Sequence, residues 1–469
     1  MRHGKAGAWW AVVVLLAAGC GDDDNATDVG GEDGGMDVEE AEGAADADAD
    51  GDLDVEEVEE ADAEAEAEAD GGGVCEQEFW IWDLSVMPPR DTQICCSLHG
   101  EGEHEHVWVE DEQWGPTVDS SGVDEILRRW DVETPDGSVD PTKGIFEILT
   151  GIFGDPPDAF DGDAKIYILL YGMEPFGSSE FDGYFRSDDQ TTTAHSNRHE
   201  MIHINSMTSR AVASPYMIGV MAHEFHHMLQ WRYDPTEEAW LSESMAETAM
   251  LLTGYLTDVP AANSWARNPT NPLIASGASD PVDYGAAFLF GAYLIDRLSP
   301  AGLRQMVEDP AHGMVAVGSA AGSLEAGLTG VGFLAEFATA LLIDDETASA
   351  DGRYAFLALD PPTPATTTIA FPAAASPVTV PGGGVKFANL PLDGAAHAQI
   401  GIDVDAPAGA SLGVRVVLVD PVAGNQVQEV IPGTHTWVIE VPDTATALQF
   451  ALATDEELPV SVAITAADE

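Results

Sequence analysis

The sequence predicts an α+β domain, a mixed sheet leading into a helical half with a metal-binding cleft between them, followed by an all-β sandwich-like domain. Three observations carry this expectation. Lys165 to Tyr171 is a strongly apolar run of strand length, and Glu200 to Asn205 alternates as an edge or near-edge strand does. Ser214-Pro215 then reads as an N-cap with Pro at the first helical position. It is followed by an apolar body at Met217, Val220, Met221, Phe225, Met228 and Leu229. From about Leu357, Thr, Val and Ala alternate between Pro and Gly turns, the spacing of short sandwich strands.

Taken in order, residues 1–20 read as a secretory leader: Arg2, His3 and Lys5, an apolar run from Ala8 to Ala18, then Gly19-Cys20. The run is too short for a permanent membrane anchor. Leu16-Ala17-Ala18-Gly19-Cys20 resembles a bacterial lipoprotein cleavage box, so the expected location is the bacterial cell envelope, lipid-anchored through Cys20, or secretion. Residues 21–74 carry many Asp and Glu and no Lys or Arg. Such a segment cannot bury a core and repels itself, and it reads as an extended tether. The folded part is expected at 75–356, the α+β domain, and 357–469, the sandwich.

The chain has 469 residues, with 17 Lys+Arg against 83 Asp+Glu, a net charge of −66. That surface argues against nucleic acid or an anionic membrane as partner, leaving the lipid anchor as the membrane contact. Of 4 Cys, Cys75, Cys95 and Cys96 remain once Cys20 is set aside. An oxidising envelope favours a link from Cys75 to one of the vicinal pair, a staple worth about 3 kcal/mol in the chain-entropy account. Val107-Trp108-Val109 reads as a strand and Gly122 to Trp130 as a short helix. Ala286–Leu298, Leu303–Glu308 and Phe333–Ile343 read as later helices.

The chemistry sits at Ala222-His223-Glu224-Phe225-His226-His227. Residues four apart on a helix share a face, so His223 and His227 can reach one metal ion, and Glu224 lies beside it to polarise a bound water. Zinc in a hydrolase needs a third protein ligand. A His or Asp at 233 following Gly at 230 would supply one, but the chain has Tyr233 and Gln230. After a turn at Asp234-Pro235, Trp240-Leu241-Ser242-Glu243-Ser244-Met245-Ala246-Glu247 offers the other arrangement. Glu243 is assigned to zinc, and Glu247, four residues on, is placed to accept the second ring N–H of a ligating His.

These residues resemble the hyicolysin-type zinc metallopeptidases, within the thermolysin-like gluzincin group of zincins, which typically read H-E-F-Q-H and then W-L-N-E-G-x-A-E. The similarity extends upstream to Asp161–Leu170 and Phe181-Asp182-Gly183-Tyr184-Phe185. Downstream it takes in Tyr284-Gly285-Ala286-Ala287-Phe288-Leu289-Phe290 and a helix around Phe333 to Ile343, roughly residues 104 to 345 in all. Two positions depart: His226 replaces Gln, and Ser244 replaces the Gly after the ligand Glu. The resemblance implies an endopeptidase acting on protein or peptide, with Glu224 as general base. It implies a Tyr or His donor for the oxyanion from the helical half, for which Tyr284 is the choice and Tyr184 a second candidate. It also implies an edge strand that holds extended substrate, at Phe181–Phe185 or Met201–Asn205.

An aminopeptidase sharing the zinc site would need an acidic group for the substrate's amine, and no G-x-M-E-N-like stretch precedes the metal helix. From another class, a non-catalytic surface-binding lipoprotein would use the same scaffold, although intact His223, Glu224, His227 and Glu243 speak for turnover. Other residues weigh less. His203 alternates with Ile202 and Ile204 and reads as a core or solvated His, as do His195 and His199. Glu103-His104-Glu105-His106 resembles a metal-binding tract. Asp155, Asp158, Asp161 and Asp163 offer oxygens of the kind Ca2+ takes, in a spacing that matches no full loop.

Overall fold

A computed structural model describes residues 13–15, 75–157, 161–177, 180–256, 260–269, 272–274, 281–392, 399–433 and 436–468; the side chains of 13–15, 260 and 281–284 fall outside the description. Cys20, the tether 21–74 and most of the leader lie outside the described residues, as does Asp158. The chain is a mixed α/β structure with three sheets, and no described helix is long and apolar enough to cross a membrane.

The first sheet has seven strands: β1 (Val13–Leu15), β2 (Gln77–Asp83), β3 (Arg90–Glu101), β4 (Glu105–Glu110), β5 (Ile166–Tyr171), β6 (Phe181–Phe185) and β7 (Met201–Asn205), in the order β1-β6-β7-β5-β4-β3-β2. β4, β5 and β7 run parallel, whereas β6 is antiparallel to β7 and the β2–β3 hairpin is antiparallel to β4. Cys75 is bonded to Cys95 across the start of this hairpin, and Cys96 stays free and buried. The sheet curls: Trp82 of β2 stacks on Tyr184 of β6 although the two strands lie near opposite ends of the strand order. Inside the curl, Phe79, Ile81, Leu169, Tyr171, Phe181, Tyr184 and Met201 form one apolar cluster.

The other face, with Val107, Val109, Ile168, Leu170, Ile202 and Ile204, packs on helices. These are α1 (Ser120–Asp131), α2 (Ile145–Phe153), α3 (Pro215–Tyr233), α4 (Ala239–Leu252), α5 (Pro260–Arg267), α6 (Pro281–Arg297), α7 (Pro300–Glu308), α8 (Gly313–Ala321) and α9 (Gly330–Ile343). α3 begins as its sequence demands: Ser214 Oγ accepts the Met217 N–H, and Pro215 occupies the first turn, where an N–H would lack a partner. Its body is buried nearly all round, because the sheet covers one side and α4 another.

Strand β7 corrects one expectation. Met201–Asn205 pairs on both sides, with β5 and β6, and every residue is buried, so it is no edge. Its polar alternation reflects internal pairing: His203 Nε2 meets Asp189 at 2.9 Å, and Asn205 Nδ2 donates to the Phe181 carbonyl at 2.7 Å. β6 carries only the short β1 on its outer side.

The remaining strands are β8 (Thr367–Thr368), β9 (Ala373–Val380), β10 (Val385–Pro391), β11 (Gln399–Asp405), β12 (Leu412–Val419), β13 (Gln426–Glu429), β14 (Trp437–Glu440), β15 (Ala447–Thr454) and β16 (Val460–Asp468). They form a five-stranded sheet, β13-β12-β15-β10-β8, and a four-stranded one, β14-β11-β16-β9. Val380, Leu390, Ile402, Val416, Phe450 and Val462 fill one core from both. The second face of the five-stranded sheet is also covered. Val385, Phe387, Ala451 and Ala453 share a core with Phe333 and Phe337 of α9. Gly413 permits this approach, since a Cβ there would stand 2.7 Å from Ala335 Cβ and 2.8 Å from the Val331 oxygen.

Candidate metal centre

His223 and His227 lie one turn apart on α3, and Glu243 comes from the second turn of α4, packed alongside. One donor atom of each lies within 4.8 Å of the others. His223 Nε2 is 3.4 Å from Glu243 Oε2, and His227 Nε2 is 3.7 Å from Glu243 Oε1. Tetrahedral ligands about 2.1 Å from zinc stand about 3.4 Å apart. All three residues are buried, and His223 Nε2, His227 Nε2 and Glu243 Oε2 have no hydrogen-bond partner. Buried polar atoms left without partners are costly, and three of them converging on one point form a donor set that a single cation would satisfy. The residues present fit zinc.

The outward ring atoms are engaged. His223 Nδ1 faces Glu247 Oε1 at 3.3 Å, and His227 Nδ1 faces Ser242 Oγ at 3.1 Å. The Glu247 carboxylate can only accept and so draws the proton of His223 to Nδ1, while the Ser242 hydroxyl can accept from His227 Nδ1 in the same way, the form in which Nε2 is free to ligate. Burial works against charge on His223, but Glu243 and Glu247 together hold it well above the usual imidazole range. Burial pushes His227 down to about 3.

Glu224 is fully buried and neither oxygen has a hydrogen-bond partner. Burial pushes its carboxyl up to about 8, with His223 opposing the rise and Glu243 adding to it. A carboxylate so poised exchanges protons near neutrality. His226 packs edge-on against Phe153, about 60° around α3 from His223, and burial takes it down to about 3.

Other sequence candidates are distributed differently. Tyr184 lies in the curl: its hydroxyl accepts from the Trp82 N–H at 3.0 Å and from the Tyr171 hydroxyl at 3.0 Å, which removes it from the metal side. Tyr284 falls in the first turn of α6, and its side chain lies outside the described residues. The Glu103–His106 tract is split by the pleat of β4: His104 Nδ1 meets Asp131, His106 Nε2 meets Asp163, and Glu105 is sealed inside. Asp161 and Asp163 turn to His199 and His106 rather than to a common point, and His195 pairs with Asp91.

Sequence reasoning passed over Ser242, whose signal was its place directly before the ligand Glu. It also passed over Asp182 and Tyr216, which meet at 2.8 Å beside the centre.

No family model matches the chain, and no curated protein matches it. Among solved structures, a Yersinia pseudotuberculosis-derived mitogen is 11% identical, covering 20% of this chain and 85% of its own with TM-score 0.17. The pre-peptidase C-terminal domain of a Bacillus anthracis collagenase is 6% identical, covering 22% and 96% with TM-score 0.17. An Aeromonas hydrophila periplasmic inhibitor of g-type lysozyme is 15% identical, covering 22% and 96% with TM-score 0.15. Similarities this slight carry no argument about fold or function.

Proposed function

We propose that the protein is a zinc-dependent endopeptidase on a zincin scaffold, held at a bacterial cell envelope by an N-terminal lipid or secreted from it. The reading rests on one observation: three buried donor atoms, on His223, His227 and Glu243, converge without partners while both ring Nδ1 atoms are engaged. Held by His223, His227 and Glu243, zinc would lower the pKa of a water and polarise the scissile carbonyl.

The chain's own groups divide the remaining work. Glu247 Oε1 and Ser242 Oγ hold the two imidazoles so that Nε2 points inward. Glu224 takes a proton from the attacking water on a carboxylate oxygen and returns it to the leaving amine. Strand β6 runs beside the centre, and its outer edge, which carries β1 from the expected leader, is where an extended substrate adds as a strand once that leader is removed. Tyr284 is the proposed oxyanion donor. His223, Glu224, His227 and Glu243 are each less than 5% exposed, so peptide enters only when the seam between β6 and the helical half opens.

The test compares zinc content and casein cleavage of the purified protein with those of Glu224→Gln. Both proteins are expected to carry one zinc, and turnover should fall at least about a hundredfold in the variant. Near-parental turnover in Glu224→Gln overturns the assignment, as does a parent protein that binds no zinc.

A further inference from the structure

β6 does not alternate cleanly. Phe181 and Tyr184 both enter the curl, and the register against β1 slips between them. Such an irregularity places an extra residue in the strand and re-aims a side chain, a device that recurs beside active sites. Here it turns Asp182 toward α3, where the buried carboxylate accepts the Tyr216 hydroxyl at 2.8 Å. Strand and helix then run side by side. A Cβ on Gly183 would meet Val220 Cγ1 at 3.0 Å, one helical turn before Glu224 on α3. Asp182, held by Tyr216 near the start of α3, therefore lies about 12 Å from the Glu224 level, between three and four residues of extended strand.

The direction is given by β1. It pairs antiparallel, Val13 with Tyr184 and Leu15 with Phe181, and so runs from the Glu224 end toward Asp182. A peptide added in the same sense carries the residues C-terminal to the cleaved bond toward Asp182 and Tyr216.

At that end stands Arg210. It is exposed, its guanidinium carbon sits 4.3 Å above the Tyr216 ring, and it makes no ion pair among the described residues. Tyr216 donates its hydroxyl hydrogen bond to Asp182, which fixes the ring as a platform for the stacked cation. In a chain with 17 cationic against 83 acidic side chains, this exposed guanidinium, whose charge also steadies the Asp182 carboxylate, counters a field that otherwise repels anionic peptides.

We infer that Arg210, stacked on Tyr216 and backed by Asp182, determines specificity by taking a substrate carboxylate roughly three residues beyond the cleaved bond on its C-terminal side. The inference rests on the peptidase reading and names its preferred substrates. The carboxylate is an Asp or Glu side chain or the peptide's own C-terminus.

Two measurements test it. A degenerate peptide mixture is digested and the residues after each cut are read, using free-acid and amidated peptides. Separately, binding of a fluorescent peptide carrying Glu, Gln or Lys at the third position past the parent's cut is measured by anisotropy in Glu224→Gln protein. Acidic residues should be enriched two to four places after the cut, and Arg210→Gln should remove the enrichment while Arg210→Glu favours Lys. Loss of the preference on amidation alone assigns the carboxylate to the chain terminus. Affinity for the Glu peptide should fall about fivefold in Arg210→Gln, an effect that shrinks in 1 M salt, with the Gln peptide unchanged. Unchanged enrichment and affinity in Arg210→Gln overturn the inference. If the parent cuts nothing, the peptidase reading fails, and a generic extended peptide bearing Glu or Gln in the same anisotropy assay still decides for or against Arg210.

Discussion

Replacing Glu247 tests whether the outer partners of the two imidazoles support metal binding or merely fill space. Its carboxylate lies 3.3 Å from His223 Nδ1 and the residue is 6% exposed, so the contact is charge-assisted and poorly screened. Loss of such a partner typically weakens metal affinity by about 10- to 100-fold, or about 1.4–2.7 kcal/mol. Glu247→Gln keeps an accepting oxygen and loses the charge, and is expected at the lower end. Glu247→Ala loses both and belongs at the upper end. Ser242→Ala removes a neutral hydroxyl 3.1 Å from His227 Nδ1, worth about 1 kcal/mol or roughly fivefold. Zinc dissociation constants, measured by competition with a chromophoric chelator at fixed pH, should therefore rise in the order Ser242→Ala, Glu247→Gln, Glu247→Ala. Glu247 variants that hold zinc as tightly as the parent would refute the reasoning, as would a Ser242→Ala loss larger than that of Glu247→Ala.

Glu105 supplies a pH test away from the metal. Burial pushes its carboxyl from 4.5 up to about 9, Asp131 adds to the rise, and neither oxygen has a hydrogen-bond partner. The folded state then binds the proton more tightly than the unfolded one, so stability falls as pH rises between about 4.5 and 9. Glu105→Gln should leave the melting temperature unchanged at pH 4.5 and raise it at pH 9, by on the order of 3 kcal/mol of stability; equal melting at both pH values would refute this. Gly413→Val should push α9 off the five-stranded sheet and cost about 3 kcal/mol or more in denaturant unfolding, because neighbouring atoms already stand 2.7 and 2.8 Å from the Cβ position. Tyr184→Phe, by contrast, should leave zinc affinity and turnover unchanged, since that hydroxyl lies in the curl.

The metal centre was legible because its signals are local. The cap at Ser214, Pro215, the four-residue His spacing and the second four-residue Glu spacing each depend on one helix, and α3 and α4 bring them together. Elements whose reason is distant were harder to read. The β2–β3 hairpin went unread because its long second strand, half-exposed along most of its length, gives no clean alternation. Asn205 and His203 looked like the polar side of an edge strand; both are buried, and their partners, Asp189 and the Phe181 carbonyl, come from other segments. Tyr184 was a fair oxyanion candidate by position, but curling of the sheet gave it partners on β2 and β5. The turning of Asp182 toward Tyr216 arises from a strand irregularity that has no compositional signature.

The absence of a side chain at Gly413 has a mechanical consequence. With α9 seated directly on strand backbone and flanked by Val385, Phe387, Ala451 and Ala453, the last hundred residues are fastened to the helical half rather than strung behind it. In the proposed opening of the seam above the candidate metal centre, the two β-sheets would travel with the helices as ballast on a lever. A pair of fluorophores, one on the exposed side chain of Val438 and one on the exposed Met207, would therefore register the breathing of the cleft from well outside it.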